Sequence, residues 1–425
     1  MIIVPSKENV TEETMSETEQ MSVNERRKYL HKMRIRYWQV QTKKERSDLL
    51  DEMEAVTSLH RKSIIRLIKG ELARKPRRQQ RGKTYGAEEK SLVEKIAHSL
   101  DYPCAERLQP NLVWMAEHLQ THGEIELTPE VKTKLAKISV SSVRRLLPPS
   151  QRAATRIAHR KGQPSSVFAQ RHAIPMRRIP WDERVPGYFE TDLVHHCGIS
   201  ASGQYLHTLQ MIDVATGWSE CVAVLGRSYL VMQDGFQRIE QRLPFPILEI
   251  HPDNGQEFLN AHLLRFWKDR AQPLELSRSR PYHKNDNRFV EENNFSQVRA
   301  YLGYNRLDTV AQTNLANQLF DQLWLYHNLF QPVMRLNEKH FEDGRCKRIY
   351  DSAMPPFDRL CRTNVLSPEK QADLTALRQS TNPVQLRKNI QNLIDKISAL
   401  PCAAAQGSAQ DVHLTLLPQE ADTLQ

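Results

Sequence analysis

No apolar run in this 425-residue chain approaches the roughly 18 to 20 residues that a membrane span requires. The opening, MIIVPSKENVTEETMSETEQ, is acidic and lacks the apolar stretch of a signal peptide. A soluble, intracellular protein is therefore predicted. Cysteine is sparse: Cys104, Cys197, Cys221, Cys346, Cys361 and Cys402 are scattered, with no C-x-x-C pair and no framework spacing, so reduced thiols are expected. His195, His196 and Cys197 are adjacent, whereas zinc ligands are usually spaced two to four apart, and neighbouring strand residues point to opposite faces. Packing is the expectation there.

What the chain does have is basic charge. Lys and Arg number 60 against 50 for Asp and Glu, a net charge of +10, which favours a polyanionic partner, nucleic acid ahead of a membrane surface. The length suits two to four domains of roughly 100 to 200 residues.

Composition divides the chain. Residues 1–24 are polar and acidic and read as a mobile leader. Residues 25–82 begin with basic and aromatic residues at helical spacing. KKERSDLLDEMEAVTSLHRKSIIRLIKG, residues 43 to 70, then reads as two helices broken near Val56 to Ser58, with Gly70 suited to a C-cap. This is a helix-turn-helix pattern that would offer Ser58, His60, Arg61 and Lys62 to a major groove. An αα-hairpin inside a helical domain is the alternative. The following ELARKPRRQQRGK, with Arg74, Lys75, Arg77, Arg78 and Arg81, cannot form a core and suits phosphate contact.

Residues 83–150 repeat the theme with amphipathic helices over 87–101 and 110–121. A second helix-turn-helix signature ends at SSVRRLLPP and carries Arg144 and Arg145. Residues 151–182 are basic and broken by prolines, a linker able to bind phosphate. From Val185 the character changes. GYFETDLV, QYLHTLQMIDVA and WSECVAVL read as three strands rich in aromatic and β-branched residues, with a turn at Thr216 and Gly217. A helix near 229–242, the strand ILEI, a helix near 257–270, the short strand LELS and a long helix from about 287 to 302 follow. That is the element order of a ribonuclease H-like α/β domain, assigned to residues 183–305. Residues 306–400 read as a helical and small basic region, and 401–425 as a disordered tail. The predicted fold class is thus multidomain: an α-helical helix-turn-helix N-terminal region, an α/β ribonuclease H-like core, and a mainly helical, small basic C-terminal region.

In HPDNGQEF an aspartate ends a strand and an Asn-Gly turn follows, although aspartate is a poor strand former. An acid so placed presents a ligand. In a sheet of this order Asp192 lies within the first strand and Asp253 just past the fourth, its neighbour. A third acid would come from the last helix, at Glu291 or Glu292. Three carboxylates at one sheet edge repel unless a cation neutralises them, and hard oxygen ligands favour Mg²⁺ or Mn²⁺. Two such ions about 4 Å apart support in-line phosphoryl transfer. Arg278, Arg280, His283 and Lys284, leading into that helix, are positioned to hold backbone phosphates.

ETDLV, YLHTLQMIDVATGW, HPDNGQEF and SRPYHKNDNRFVEENN resemble the integrase catalytic core of insertion-sequence (DDE) transposases, relatives of retroviral integrases. NLFQPVMRLNEKHFEDGRCKRIYDSAMPPFDRL resembles that group's C-terminal sequence, so the resemblance spans roughly residues 180 to 400. It implies catalytic and metal-holding roles for Asp192, Asp253 and Glu291. Two magnesium or manganese ions per site are implied too, as is metal-dependent cleavage of double-stranded DNA at the element's ends and attack of the freed 3′-hydroxyl on target DNA. A dimer or larger homo-oligomer on DNA in the bacterial cytoplasm, at the nucleoid, is implied as well. One departure is Glu292, a second acid where relatives tend to carry a neutral or basic residue. Neighbouring helical residues lie about 100° apart, so one of the two faces the other acids, and Glu291 is the choice. Asp213, before the turn, is expected to be structural. Two other readings stay open: a DNA-binding regulator with a silent core, and a nuclease of the same fold.

Overall fold

The computed structural model describes residues 21–70, 84–147, 174–253, 255, 258, 261–268, 270, 274–280, 283, 286–342, 345–403 and 410–417. The basic run with Arg74, Lys75, Arg77, Arg78 and Arg81, most of the leader and of the linker, and Lys284 lie outside the described residues. The chain divides into two compact units, residues 1–84 and 85–425. Among the described residues no helix is long and apolar enough to cross a membrane.

Among its described residues the first unit holds three helices, α1 (Val23–Gln39), α2 (Lys43–Thr57) and α3 (Arg61–Lys69). Ser22 and Glu25 form a capping box at the start of α1, and Thr42 caps α2 by accepting from the Glu45 N–H. Leu30, Met33, Tyr37, Leu49, Leu50, Met53, Ile64 and Ile68 close one small core. Ser58, in the left-handed conformation at φ 54°, ends α2, and His60 caps α3, its Nδ1 accepting from the Lys62 N–H at 3.2 Å. The expected break thus falls on the left-handed Ser58. Gly70 closes α3 with an extended backbone, its N–H on the Arg66 carbonyl at 3.0 Å.

The second unit opens with five helices, α4 (Ala87–Ser99), α5 (Ala105–Leu108), α6 (Leu112–Thr121), α7 (Pro129–Lys137) and α8 (Val140–Leu146). The sheet strands follow: β1 (Tyr188–His195), β2 (Leu206–Asp213) and β3 (Ser219–Leu225). Then come α9 (Tyr229–Arg242), β4 (Glu249–Pro252), α10 (Ala261–Lys268), β5 (Glu275–Leu276) and α11 (Arg288–Asn293). Helix α11 runs on through a π-helical segment, Asn294–Arg299, into α12 (Ala300–Leu302). The strand order is β3-β2-β1-β4-β5: β1, β2 and β3 pair antiparallel, and β4 and β5 run parallel to β1. A mixed α/β sheet with helices around it is the architecture expected of an integrase-like core.

Helix α13 (Val310–Leu325) continues as a π segment, Tyr326–Phe330. Two strands, β6 (Leu336–Glu342) and β7 (Arg345–Tyr350), and three helices, α14 (Pro356–Arg362), α15 (Pro368–Ser380) and α16 (Pro383–Ala399), complete the unit. The α4–α8 segment shares one apolar core with the sheet and α13. Tyr326 donates to the Ser99 carbonyl at 3.0 Å, Gln331 to that of Leu100 at 2.7 Å, and Asn111 to that of Ala353 at 3.0 Å. One detail refines expectation and one differs from it. Within the helical and small basic region expected over 306–400, the basic part takes the form of a β-hairpin, β6–β7, which the sequence did not specify. Residues 410–417 of the expected disordered tail carry a 3-10 turn, Val412–Thr415, held on α9 by Arg238 on the Thr415 carbonyl and by the Leu417 N–H on Asp234.

His207 on β2 is 2% exposed, and its Nδ1 has no hydrogen-bond partner among the described residues. Burial first, then the charges of His195 and Arg227, push it down to about 3. The unfolded chain takes up a proton near pH 6.5 that the folded chain refuses. The stability this group contributes is therefore present above that pH and lost as pH falls towards 3. Urea unfolding of the wild type and of His207→Phe across pH 7.5 to 4.5 should show the wild type losing more stability on acidification. Parallel pH profiles would exclude this role.

Candidate active site

The last β1–β4 pair is Thr191 with Pro252, so Asp192 and Asp253 are the next residues along two parallel neighbours, whose backbones run about 4.8 Å apart. The two aspartates thus stand where β4 stops beside β1, which runs on paired to β2 with Asp192 opposite Gln210. Asp192 is half-buried; its Oδ1 accepts from the Leu193 N–H at 2.8 Å and its Oδ2 from the Asn294 amide. Asp253 is exposed, and its Oδ1 accepts from the Gly255 N–H at 2.7 Å, the short-range bond by which aspartate fixes a turn.

Glu190 lies two residues before Asp192, hence on the same face of β1. It is fully buried, and its Oε2 accepts from the N–H groups of Phe289 at 2.6 Å and Val290 at 3.1 Å, satisfying the open donors at the start of α11. Arg288 lies 3.5 Å from it. Burial pushes the Glu190 carboxyl up to about 7, against the pull of Arg288, the two N–H groups and Arg335. Glu190 thus fixes α11 to the strand that carries Asp192.

Asn287 and Asn294 finish the alignment. In the amide orientation that satisfies both sides, Asn287 donates to the His251 carbonyl at 3.2 Å and accepts from the Asp253 N–H at 3.0 Å. Positions 287, 291 and 294 follow the spacing of one helix face. Glu291 therefore sits between two asparagines that reach Asp253 and Asp192, while Glu292 is turned about 100° away. Both glutamates are exposed.

The donor set is chemically suited to a hard divalent cation, being carboxylate oxygen throughout. Among the described residues, however, no group of three or more His, Cys, Asp or Glu side chains is gathered closely enough to hold a metal ion. Strand order brings Asp192 and Asp253 to the end of the β1–β4 pairing, and helical spacing puts Glu291 between Asn287 and Asn294; the two aspartate side chains are engaged by Asn294 and by the Gly255 turn.

The other expected contacts divide. Ser58, His60 and Lys62 are exposed around the turn before α3. Arg61 instead turns back onto α2, pairing with Asp51 and donating to the Ser47 hydroxyl at 2.7 Å, so it braces the turn. Arg144 pairs with Glu106, and Arg145 donates to the Ser141 carbonyl at 3.1 Å; both remain exposed. Arg280 is clamped by both oxygens of Asp286 at 2.8 Å, which holds that carboxyl below the usual range, and His283 between them is exposed. Arg278 is buried, donating to the Ile174 carbonyl at 3.2 Å, and serves packing. Asp213 is buried in the turn, as a structural residue would be, accepting from Gly187 and Thr216. His196 is buried on Thr208, and His195 meets Tyr205 at 3.3 Å.

The sequence reading missed Glu190, Asn287 and Asn294. A signal for Asn287 was available, since asparagine before a helix start is a favoured N-cap. Glu190 carried none, because its importance comes from Arg288 and two N–H groups roughly a hundred residues away.

No family model matches the chain. The structure is similar to the crystal structure of the catalytic core domain of BIV integrase, with 14% identity over 42% of this chain and 95% of that one. The TM-score is 0.27. Sequence similarity is firmer: at 35% identity over 312 residues, 73% of this chain and 88% of its relative, the chain belongs to the family of the uncharacterized protein y4rM of Sinorhizobium fredii (strain NBRC 101917 / NGR234).

Proposed function

We propose that the protein is a DDE-type transposase. It binds the terminal repeats of an insertion sequence, cuts a phosphodiester at the element's end and joins the freed 3′-hydroxyl to target DNA. The observation that carries this reading is the adjacency of Asp192 and Asp253 past the last β1–β4 pair, with Glu291 on the helix face whose asparagines reach both.

Asp192, Asp253 and Glu291 would hold magnesium or manganese. The chemistry such ions would supply there is activation of the attacking oxygen and stabilisation of the leaving one. The chain's own groups orient these acids: Asn294 turns Asp192, the Gly255 N–H fixes Asp253, and Glu190 and Asn287 anchor the helix that carries Glu291. Residues 25–82 and 83–150 would recognise element ends, with His60, Lys62, Arg144 and Arg145 facing solvent for that purpose. Two ends must be held together, so a dimer or larger assembly on DNA is part of the reading. It would work at the nucleoid of a bacterial cytoplasm.

The test is an assay of the full chain on labelled DNA carrying the inverted repeats that flank its gene, with a supercoiled target, in Mg²⁺ or Mn²⁺ and then in chelator. Nicking at the repeat end with covalently joined product is the expected result. Nicking without joining would make the protein a nuclease of the same fold, and tight binding with neither would make it a regulator.

A further inference from the structure

The β6–β7 hairpin is at odds with the general behaviour of two-stranded ribbons, which gain little stability in water unless one face is covered. Its root is firmly held: the Arg335 N–H donates to Asp351 at 2.8 Å, Arg359 pairs with Asp351, and Val333 bridges Met354. Beyond the root both strands are largely exposed. Phe341, near the tip, is 75% exposed.

The pairing is more telling than the exposure. Lys339 is directly opposite Arg348, and Phe341 is opposite Cys346 on the same face. Like charges directly opposite one another destabilise a ribbon. Among the described residues neither Lys339 nor Arg348 is paired with a carboxylate; Lys339 rests instead over the Trp181 ring at 4.5 Å. The acids Glu338 and Glu342 occupy alternate positions, on the other face, where Glu338 pairs with His340 at 2.8 Å. Among the described residues, one face of the arm therefore offers two opposed cations, an aromatic side chain near the tip and no acid. A polyanion with stackable or apolar groups between its charges relieves the repulsion and covers the ring.

We propose that this face of the β6–β7 hairpin is a DNA-contacting arm, with Lys339 and Arg348 on backbone phosphates and Phe341 against sugar or base. The proposal rests on the reading of the protein as a DNA-processing enzyme and adds the surface that grips the substrate beside the sheet. A two-stranded ribbon fits the major groove, roughly 12 Å wide.

Binding of the full chain to labelled duplex DNA across a salt series tests it. The variant Lys339→Ala with Arg348→Ala should lower the slope of log affinity against log salt by about 2, one unit per lost phosphate contact. The charge-conserving pair Lys339→Arg with Arg348→Lys should retain the wild-type slope. Benzoylphenylalanine at position 341 should crosslink to the DNA on irradiation, a readout independent of how the alanine variant folds. An unchanged slope in the alanine variant, or no crosslink, overturns the proposal. Nicking is scored separately: a chain that crosslinks through the arm yet never nicks DNA with either metal refutes the transposase reading and leaves the arm in place.

Discussion

Glu291→Gln should slow metal-dependent nicking by on the order of 10³-fold, about 4 kcal/mol of transition-state stabilisation, while Glu292→Gln should stay within about threefold of wild type. The asymmetry follows from the helix face. Asn287 and Asn294 engage Asp253 and Asp192, and Glu291 is the acid at the position between them. Both residues are exposed, so neither substitution disturbs packing, and the two variants should bind element-end DNA as the wild type does. Single-turnover nicking of end-labelled DNA measures the difference. Equal losses in the two variants, or a larger loss in Glu292→Gln, would reverse the assignment.

Asp213→Ala should lower the stability of the second unit by on the order of 3 to 5 kcal/mol. The Asp213 carboxylate is fully buried and accepts the Gly187 N–H at 2.8 Å, the Thr216 N–H at 2.7 Å and the Thr216 hydroxyl at 2.6 Å. Alanine strands all three donors away from water. Gly187 is at φ +117°, and a Cβ there would meet the Pro246 carbonyl at 2.8 Å, so this corner cannot easily relax. Asp213→Asn keeps two oxygen-facing bonds at most and should fall between. Urea denaturation followed by tryptophan emission measures the effect, and a loss below about 1 kcal/mol would show that the turn does not depend on this carboxylate.

The strands of the sheet were legible in the sequence. β1, β2 and β3 are dense in β-branched and aromatic residues, and Asp253 stands out as an acid that ends a strand before a turn. Ser58 was legible as a break because the apolar period of α2 stops there. The β6–β7 hairpin was not, since a ribbon exposed on both faces has no reason to alternate apolar and polar residues. Nor could local pattern show that Arg61 would turn back to Asp51, or that Arg280 would be clamped by Asp286. Those pairings depend on the folded path, and a basic residue reads the same whether it meets DNA or an internal carboxylate. The segment 83–150 read as a separate module because its helices are individually amphipathic; the apolar face it offers to α13 and the sheet has the same period as a face turned to its own core.

The bonds from Ser99, Leu100 and Asn111 to the π segment after α13 and to Ala353 bear on how such a chain can diversify. A gene fusion that exchanged residues 85–147 for a foreign helical segment would cut through a shared apolar core and strand the Tyr326 hydroxyl in its interior. Helices α1, α2 and α3, before residue 85, close a core of their own. Natural or engineered exchange of N-terminal helical segments should therefore succeed at a junction near residue 84 and fail at one near residue 147.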